Sequence, residues 1–374
     1  PMKIALVGGI YGKGGSRSGY IKVTPETTLE NGFRNAGHQV TALSHYDDVD
    51  FSAFDVVHVH HLSYGAVRLA SDASRTPFVF TNHDASHLCG APLSLPRRLA
   101  IRYVLSRADG IVSLSRAEAD FQTRTYLLPS TQPVVIPNGI DPLQFPLLRR
   151  NGNGQSQPWR LLFVGQLIPL KNCDIILRAM ARLSHTVELT LAYQNDALEA
   201  TLRALATSLN IADQVRFLGR QTPSELARLY QVSDLLILPS ETEALPSVIT
   251  EAMLSGLPFV ASAVGGVPEQ AGGFGYLLAQ RTEEHLAEAI GSVLDRYAKF
   301  RGASESMSRY AQTTFSLSSM LNSHLELYRT LPSIARRRSG NRLVRAAVRR
   351  WGCSGPPNQK SSPVIAARVS AKRS

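Results

Sequence analysis

The chain has 374 residues, 44% of them hydrophobic and 18% charged, an ordinary globular composition with enough length for two domains that each have a core. Its three cysteines, Cys89, Cys173 and Cys353, stand far apart with no Cys-x-x-Cys spacing, which suggests neither a disulfide framework nor a zinc site. The formal charge of +11 resides in a tail: residues 331–374 hold eleven Lys or Arg and no Asp or Glu, and the two signs balance in the rest.

The first residues, PMKIALVGG, enter an apolar strand at once, with Pro1 oddly ahead of Met2 and no charged region, apolar core and cleavage site. No apolar run reaches membrane-spanning length. The expectation is a cytoplasmic protein, neither secreted nor membrane-spanning. Val- and Ile-rich runs at 3–7, 38–43, 55–60, 78–81, 110–114 and 134–136 alternate with helical patterns, the signature of a parallel sheet covered by helices on both faces. A helix over 25–36 is predicted, with Thr24 as N-cap, Pro25 at its first position and Gly37 at its end. NGNGQSQP, residues 151–158, has almost nothing to bury and reads as a linker.

The alternation restarts at 160–164, 187–192, 215–218, 234–238 and 259–261, and helical patterns at 285–297 and 320–331 close the folded part. The fold class is therefore α/β, with two doubly wound, Rossmann-like domains at 1–150 and 159–331 and a basic tail at 332–374. Open parallel sheets bind ligands at the carboxyl ends of their strands, so two such domains facing each other make a cleft.

The glycine-rich VGGIYGKGG fails the common nucleotide-loop templates. Two residues separate Gly9 from Gly12-Lys13 where a Walker loop has four, Gly14 follows where Ser or Thr belongs, and no G-x-G-x-x-G is completed. What remains is a glycine loop at the end of the first strand, one that either approaches a ligand or merely turns the chain. In RLLFVGQLIPLKNCD a strand runs into Gly165 and Gln166, then Lys171, then a helix for which Asn172 is the expected N-cap. Helix-terminal amides and an ammonium together attract phosphate. In LPSETEALPSVITEAMLSGLPFVASAVGGVPE, Glu243 sits near a proline turn and Glu251 on the following helix, placed to straddle one ligand; a carboxylate suits paired sugar hydroxyls. Unpaired charge in such an apolar stretch is costly, which favours a functional reading over solvated surface glutamates.

Histidines concentrate as His58, His60 and His61 in HVHH and as His83 and His87 in TNHDASH. With no carboxylate partner evident for the strand histidines, no metal site is expected. His83, at a strand end where Asp84 could orient it, is the active-site candidate.

In order and spacing, DVVHVHH, TNHD, VIPNGID, VGQLIPLKN, VRFLGR, DLLILPS, the Glu243/Glu251 pair and GGVPE resemble the family-four (group 1) retaining glycosyltransferases of the GT-B fold, nearly end to end from Met2 to Leu331. The resemblance implies an acceptor-side first domain, a nucleotide-sugar donor domain second, and a last helix that packs back on the first. It implies that Glu251 binds the donor ribose, that Glu243 with Ala244, Leu245, Pro246 and Ser247 holds the transferred sugar and diphosphate, and that Lys171 balances the leaving phosphates. His83 would lie beside the transferred sugar, with Gly14 and Gly15 bordering phosphate and acceptor. Catalytic roles thus fall to His83, Lys171 and Glu243, and donor contacts to Gly14, Gly15, Gly165, Gln166, Lys171, residues 244–247 and Glu251.

The family needs no obligatory metal, and the implied reaction is transfer of a sugar from a nucleoside diphosphate to a glycan or lipid-linked acceptor in polysaccharide biosynthesis, with retention. Two departures stand out: Gln166 occupies the usual place of Arg, and Asn172 that of Gly. Another enzyme of the same fold, an epimerase or phosphorylase, or a catalytically weak binding protein would share these motifs. The tail over 341–351 reads either as a short basic amphipathic helix for an anionic membrane surface, making the protein peripheral on the inner face of the cytoplasmic membrane, or as a disordered solubilising tail. Without aromatic interleaving or a nucleic-acid module it argues little for RNA or DNA.

Overall fold

The computed structural model describes residues 1–12, 24–45, 47, 49–71, 76–83, 94–126, 132–147 and 157–331. Gly14, Gly15, Asp84, His87, most of the linker and the whole basic tail lie outside the described residues.

The first domain runs β1 (Lys3–Val7), α1 (Pro25–Asn35), β2 (Gln39–Leu43), β3 (Val56–His60), α2 (Tyr64–Ser71), β4 (Phe78–Thr81), α3 (Leu95–Arg107), β5 (Gly110–Ser113), α4 (Arg116–Tyr126) and β6 (Val134–Val135). Its six strands are ordered β2-β1-β3-β4-β5-β6, every pair parallel. All five residues of β3 are buried because helices cover both faces, which is why the run reads as continuously apolar apart from its histidines. α1 starts as expected: the Thr24 hydroxyl accepts from the Thr27 amide while the Thr27 hydroxyl accepts from the Thr24 amide. The chain leaves the helix through Gly37 at φ +84°, a conformation that favours glycine.

The second domain runs β7 (Trp159–Gly165), α5 (Cys173–Met180), β8 (Val187–Tyr193), α6 (Glu199–Ser208), β9 (Val215–Gly219), α7 (Pro223–Val232), β10 (Leu235–Leu238), α8 (Ser247–Leu254), β11 (Phe259–Ser262), α9 (Val267–Ala271), β12 (Tyr276–Leu278), α10 (Glu283–Asp295), α11 (Tyr297–Gly302), α12 (Ser304–Thr314) and α13 (Leu317–Thr330). Its six parallel strands are ordered β12-β11-β10-β7-β8-β9, the doubly wound Rossmann order. The elements β12, α11 and α12 escape sequence patterning. β12 is three residues long at a sheet edge. α12 docks partly through serines, the Ser304 and Ser308 hydroxyls donating to the Gly256 and Leu254 carbonyls at 2.7 and 2.8 Å, so it lacks a strong apolar stripe.

One core cluster fills the second domain and two fill the first. α13 belongs in packing to the first: Met320, Leu325, Tyr328 and Leu331 join Ile4, Leu6, Phe33, Val56 and Val112. Full burial of such side chains stabilises by about 1.5–3 kcal/mol each. α1 and α13 approach so closely at Gly32 that a β-carbon there would lie 2.6 Å from Leu321.

Strand order reverses between β1 and β3 in one sheet and between β7 and β10 in the other, and such switch points open crevices at the carboxyl ends of strands. Those ends meet. The turn after β5 touches the loop after β11, where the Arg116 amide donates to Glu269 at 2.7 Å and a β-carbon on Gly266 would lie 2.7 Å from that of Ser115.

Candidate functional site

The crevice of the second sheet collects the charged residues. β7 ends at Gly165, Gln166 is exposed, and residues Pro169–Lys171 form one 3-10 turn ahead of α5. Beside it, the loop leaving β10 carries Glu243 to the start of α8. The Lys171 ammonium donates to Glu243 at 2.5 Å, with the side chains only 20% and 10% exposed. This pair ties the two switch-point loops together, although the residues are 72 apart in sequence.

Neither helix that flanks the pair has a side-chain cap. At α8 the N-cap is Pro246, which offers no side-chain acceptor. At α5 the expected cap by Asn172 is corrected: Asn172 adopts φ +50° and ψ +42°, and its amide turns away to donate to the Pro239 carbonyl at 3.0 Å. Asparagine tolerates this left-handed conformation better than most residues, which accounts for its standing where the resemblance has glycine. α1, α7, α10 and α13, by contrast, are capped by Thr24, Thr222, Thr282 and Ser316. Uncapped first-turn amides and the positive end of the helix dipole favour an anion.

The 243–246 loop is pressed from behind. A β-carbon on Gly265, at φ +51°, would lie 1.8 Å from the Glu243 carbonyl oxygen, and one on Gly266 2.1 Å from that of Ala244. Gln270 on α9 donates to the Pro246 carbonyl at 2.8 Å. Ala244, Leu245 and Pro246 are buried and Ser247 is exposed. One turn along α8 the half-buried Glu251 accepts from the Tyr230 hydroxyl at 2.7 Å. Burial pushes the Glu251 carboxyl above the usual range, opposed by hydrogen bonds from Tyr230 and Ser247.

The crevice of the first sheet is lined by imidazoles. His60 ends β3, and His83 follows β4 by two residues; His60 Nδ1 and His83 Nε2 lie 2.9 Å apart with the rings nearly parallel. The absence of a carboxylate partner, expected from sequence, does not hold. Glu26, buried in the first turn of α1, accepts from His61 at 2.9 Å and is grouped with His60 and His83. Burial alone would raise the Glu26 carboxyl, but the His61 hydrogen bond and the neighbouring imidazoles hold it well below the usual range. Burial keeps His83 down at about 4, hence neutral near pH 7. The proposed orienting role of Asp84 lies outside the described residues; among those described, His60 holds the ring. His58 is tied to Tyr328 of α13 at 2.6 Å and to Thr81 at 2.7 Å.

Within the first domain, Glu118 on α4 accepts from the Leu114 amide at 2.8 Å and from Gln122 at 3.2 Å, and burial pushes its carboxyl up to about 7.

The structure thus brings Lys171 and Glu243 into contact and sets residues 244–247 and Glu251 on the adjoining loop and helix, with Gly165 and Gln166 at the end of β7. His83 belongs to the first sheet. Tyr230 and Glu26 were not singled out from sequence, and His61 was named only as part of HVHH. Tyr230 lies in an ordinary amphipathic helix and Glu26 reads as a first-turn acid, so only the shared apolar burial hinted at either.

Residues 145–314 match the family described as glycosyl transferases group 1, and residues 48–143 that described as glycosyltransferase family 4. The chain is similar to the D-inositol 3-phosphate glycosyltransferase of Mycolicibacterium smegmatis, 31% identical over 320 residues, covering 79% of this chain and 74% of that protein. It is 32% identical over 266 residues to the protein of the same name from Actinosynnema mirum, of whose length it covers 64%, as it also covers 64% of its own. In fold it is similar to Anabaena HepE, solved in complex with UDP and glucose, with a TM-score of 0.68, 18% identity, and coverage of 88% of this chain and all of that one.

Proposed function

The chain belongs to the group 1 glycosyl transferases, and from that premise we propose that it moves a sugar from a nucleoside diphosphate onto a glycan or lipid-linked acceptor with retention of configuration. The observation that carries this reading is the Lys171–Glu243 pair set between the uncapped N-termini of α5 and α8 at the switch point of the second sheet. A diphosphate seated there meets first-turn amides and one ammonium, which stabilise the charge that grows as the sugar departs. Glu251 accepts from ribose hydroxyls, and Glu243, once Lys171 engages phosphate, accepts from hydroxyls of the sugar.

The acceptor hydroxyl attacks the anomeric carbon from the face the phosphate leaves. The glycosidic bond forms as the bond to the phosphate oxygen breaks, and that oxygen takes the acceptor's proton into the nucleoside diphosphate. His83, neutral at physiological pH, offers a hydrogen bond on the acceptor side. No obligatory cation enters this scheme, so EDTA leaves turnover undiminished. The tail, outside the described residues, is assigned to an anionic membrane surface; full-length chain then co-sediments with anionic vesicles at low salt and a truncation after Leu331 does not.

The test is a melting series with UDP, GDP and ADP, since a ligand that binds only the folded state raises apparent stability, by about 2.7 kcal/mol at 100 times its Kd. UDP is the expected ligand, being the nucleotide bound by the Anabaena neighbour. Release of nucleoside diphosphate must then require an acceptor; the panel includes D-inositol 3-phosphate, the acceptor in the name of the relatives. Release without any glycosyl acceptor means that the sugar goes to water or is eliminated, as in a sugar-nucleotide epimerase of the same fold, and no stabilisation by any of the three nucleotides removes the donor site.

A further inference from the structure

We propose that Glu26, His60 and His83 form a binding site for a zinc-class divalent transition metal ion in the crevice of the first sheet, apart from the donor site. One ligand atom from each residue lies within 4.8 Å of the other two. Two imidazoles and one carboxylate are a common donor set for zinc and other late first-row ions, and bonds near 2.0–2.2 Å put tetrahedral ligand atoms roughly 3.3 Å apart. His60 and His83 already meet at 2.9 Å, so modest side-chain rotation closes the set.

Hydrogen bonding between the two rings is incomplete. A neutral imidazole has one N–H and one lone pair. Whichever ring donates in the His60–His83 contact, one buried N–H and one buried lone pair are left, and neither His60 Nε2 nor His83 Nδ1 has a partner among the described residues. His60 is wholly buried, stacked at 4.2 Å on His58 and held through its carbonyl by His45 at 2.9 Å. Polar atoms left unpaired at such depth are costly. A metal ion bound at His60 Nδ1 and His83 Nε2 takes a lone pair from each ring in place of their mutual hydrogen bond, with each ring's proton on its other nitrogen.

The next layer of contacts fits as well. Glu26 is only 1% exposed, and its carboxylate is fixed by His61, a partner for the oxygen that does not bind metal. His61 reaches it from φ +64°, in the left-handed region that histidine enters more readily than most non-glycine residues. The site does not depend on the transfer reading. If that reading holds, metal binding withdraws His83 from the acceptor side, so zinc inhibits while EDTA does not.

The experiment titrates full-length protein, free of any affinity histidines, with cobalt(II) and then displaces it with zinc. Expected are a saturable visible absorption band at one equivalent and at least about 10-fold weaker binding in Glu26→Gln and in His60→Gln. His185→Gln, which alters a surface His–Asp pair, binds like the native chain. Should either ligand variant fail to fold, ring-nitrogen NMR of the native chain decides: zinc must shift His60 and His83, and shifts confined to His185 or His285 overturn the site. No saturable band, or unchanged affinity in both ligand variants, also overturns it. Cobalt binding without stabilisation by UDP refutes the donor reading and leaves the metal site standing.

Discussion

The two crevices occupy equivalent addresses, each at the carboxyl end of a six-stranded parallel sheet where strand order reverses, yet their chemistry is opposed. In the second, Lys171 and Glu243 form a close ion pair beside two helix ends without side-chain caps, so fixed positive potential meets a hydrogen-bonding carboxylate. In the first, uncharged imidazoles stack on one another and the only carboxylate of the group, Glu26, is held by His61. Topology sets where a ligand can sit; the side chains decide whether the place suits a polyanion or a hydroxyl and a cation. Even the buried carboxylates differ: Glu251 is pushed up by burial with Tyr230 and Ser247 pulling back, whereas Glu26 ends below its usual range.

The contrast breaks most sharply at Lys171. Lys171→Ala is expected to lower kcat by about 10²-fold or more, because the leaving diphosphate loses its preorganised cation. Steady-state kinetics with kcat unchanged would take the second crevice out of the chemistry. Next in size is the Tyr230 contact. Tyr230→Phe deletes a hydrogen bond to a carboxylate, and about 1.5 kcal/mol corresponds to a roughly 10-fold weaker Kd for UDP. The carboxylate form of Glu251 is the one that accepts ribose hydroxyls, so affinity is present above its folded pKa and lost as pH falls through it. Removing the Tyr230 hydrogen bond raises that pKa further, and calorimetric titration across acidic pH should show the loss setting in at higher pH than in the native chain.

These residues also mark how much could be read from the amino-acid sequence. Lys171, Glu243 and Glu251 were legible because charge placed directly after a buried strand is conspicuous, and the strands themselves were legible because helices on both faces make them continuously apolar. Tyr230, Glu26 and His61 were not, since their meaning arises only when residues 21 to 35 positions apart are folded together. Asn172 was misread for a related reason. An Asn ahead of a helix ordinarily caps it, and only the left-handed backbone reveals that its amide serves Pro239.

A smaller effect is expected at Gln166, exposed at the end of β7. Gln166→Arg should raise donor affinity or turnover several-fold, because a guanidinium pairs with a diphosphate bidentately. A fall in activity instead locates another cation already in that space. The smallest change concerns a buried carboxyl of α4. Glu118 keeps its proton up to about pH 7 in the folded chain against a usual 4.5, so the native state binds more protons in that window. Its contribution is favourable at low pH and is lost as pH rises through 7. Glu118→Gln should flatten the pH dependence of the urea midpoint between about pH 5 and 8, and a variant that tracks the native slope would assign it to another group.

The docking of α13 bears on how the chain is made. Tyr328 reaches back 270 residues to His58, and Met320, Leu325 and Leu331 complete the core around Ile4, Leu6 and Phe33. Synthesis proceeds from the other end, so a ribosome that has finished the first domain's own strands has produced a sheet with one apolar face still open. That face stays open through translation of the entire second domain, a period when exposed apolar surface invites association with other nascent chains. The first half to be synthesised is thus the last to be completed, and the closing helix delays the imidazole-lined crevice until nearly every described residue has left the ribosome.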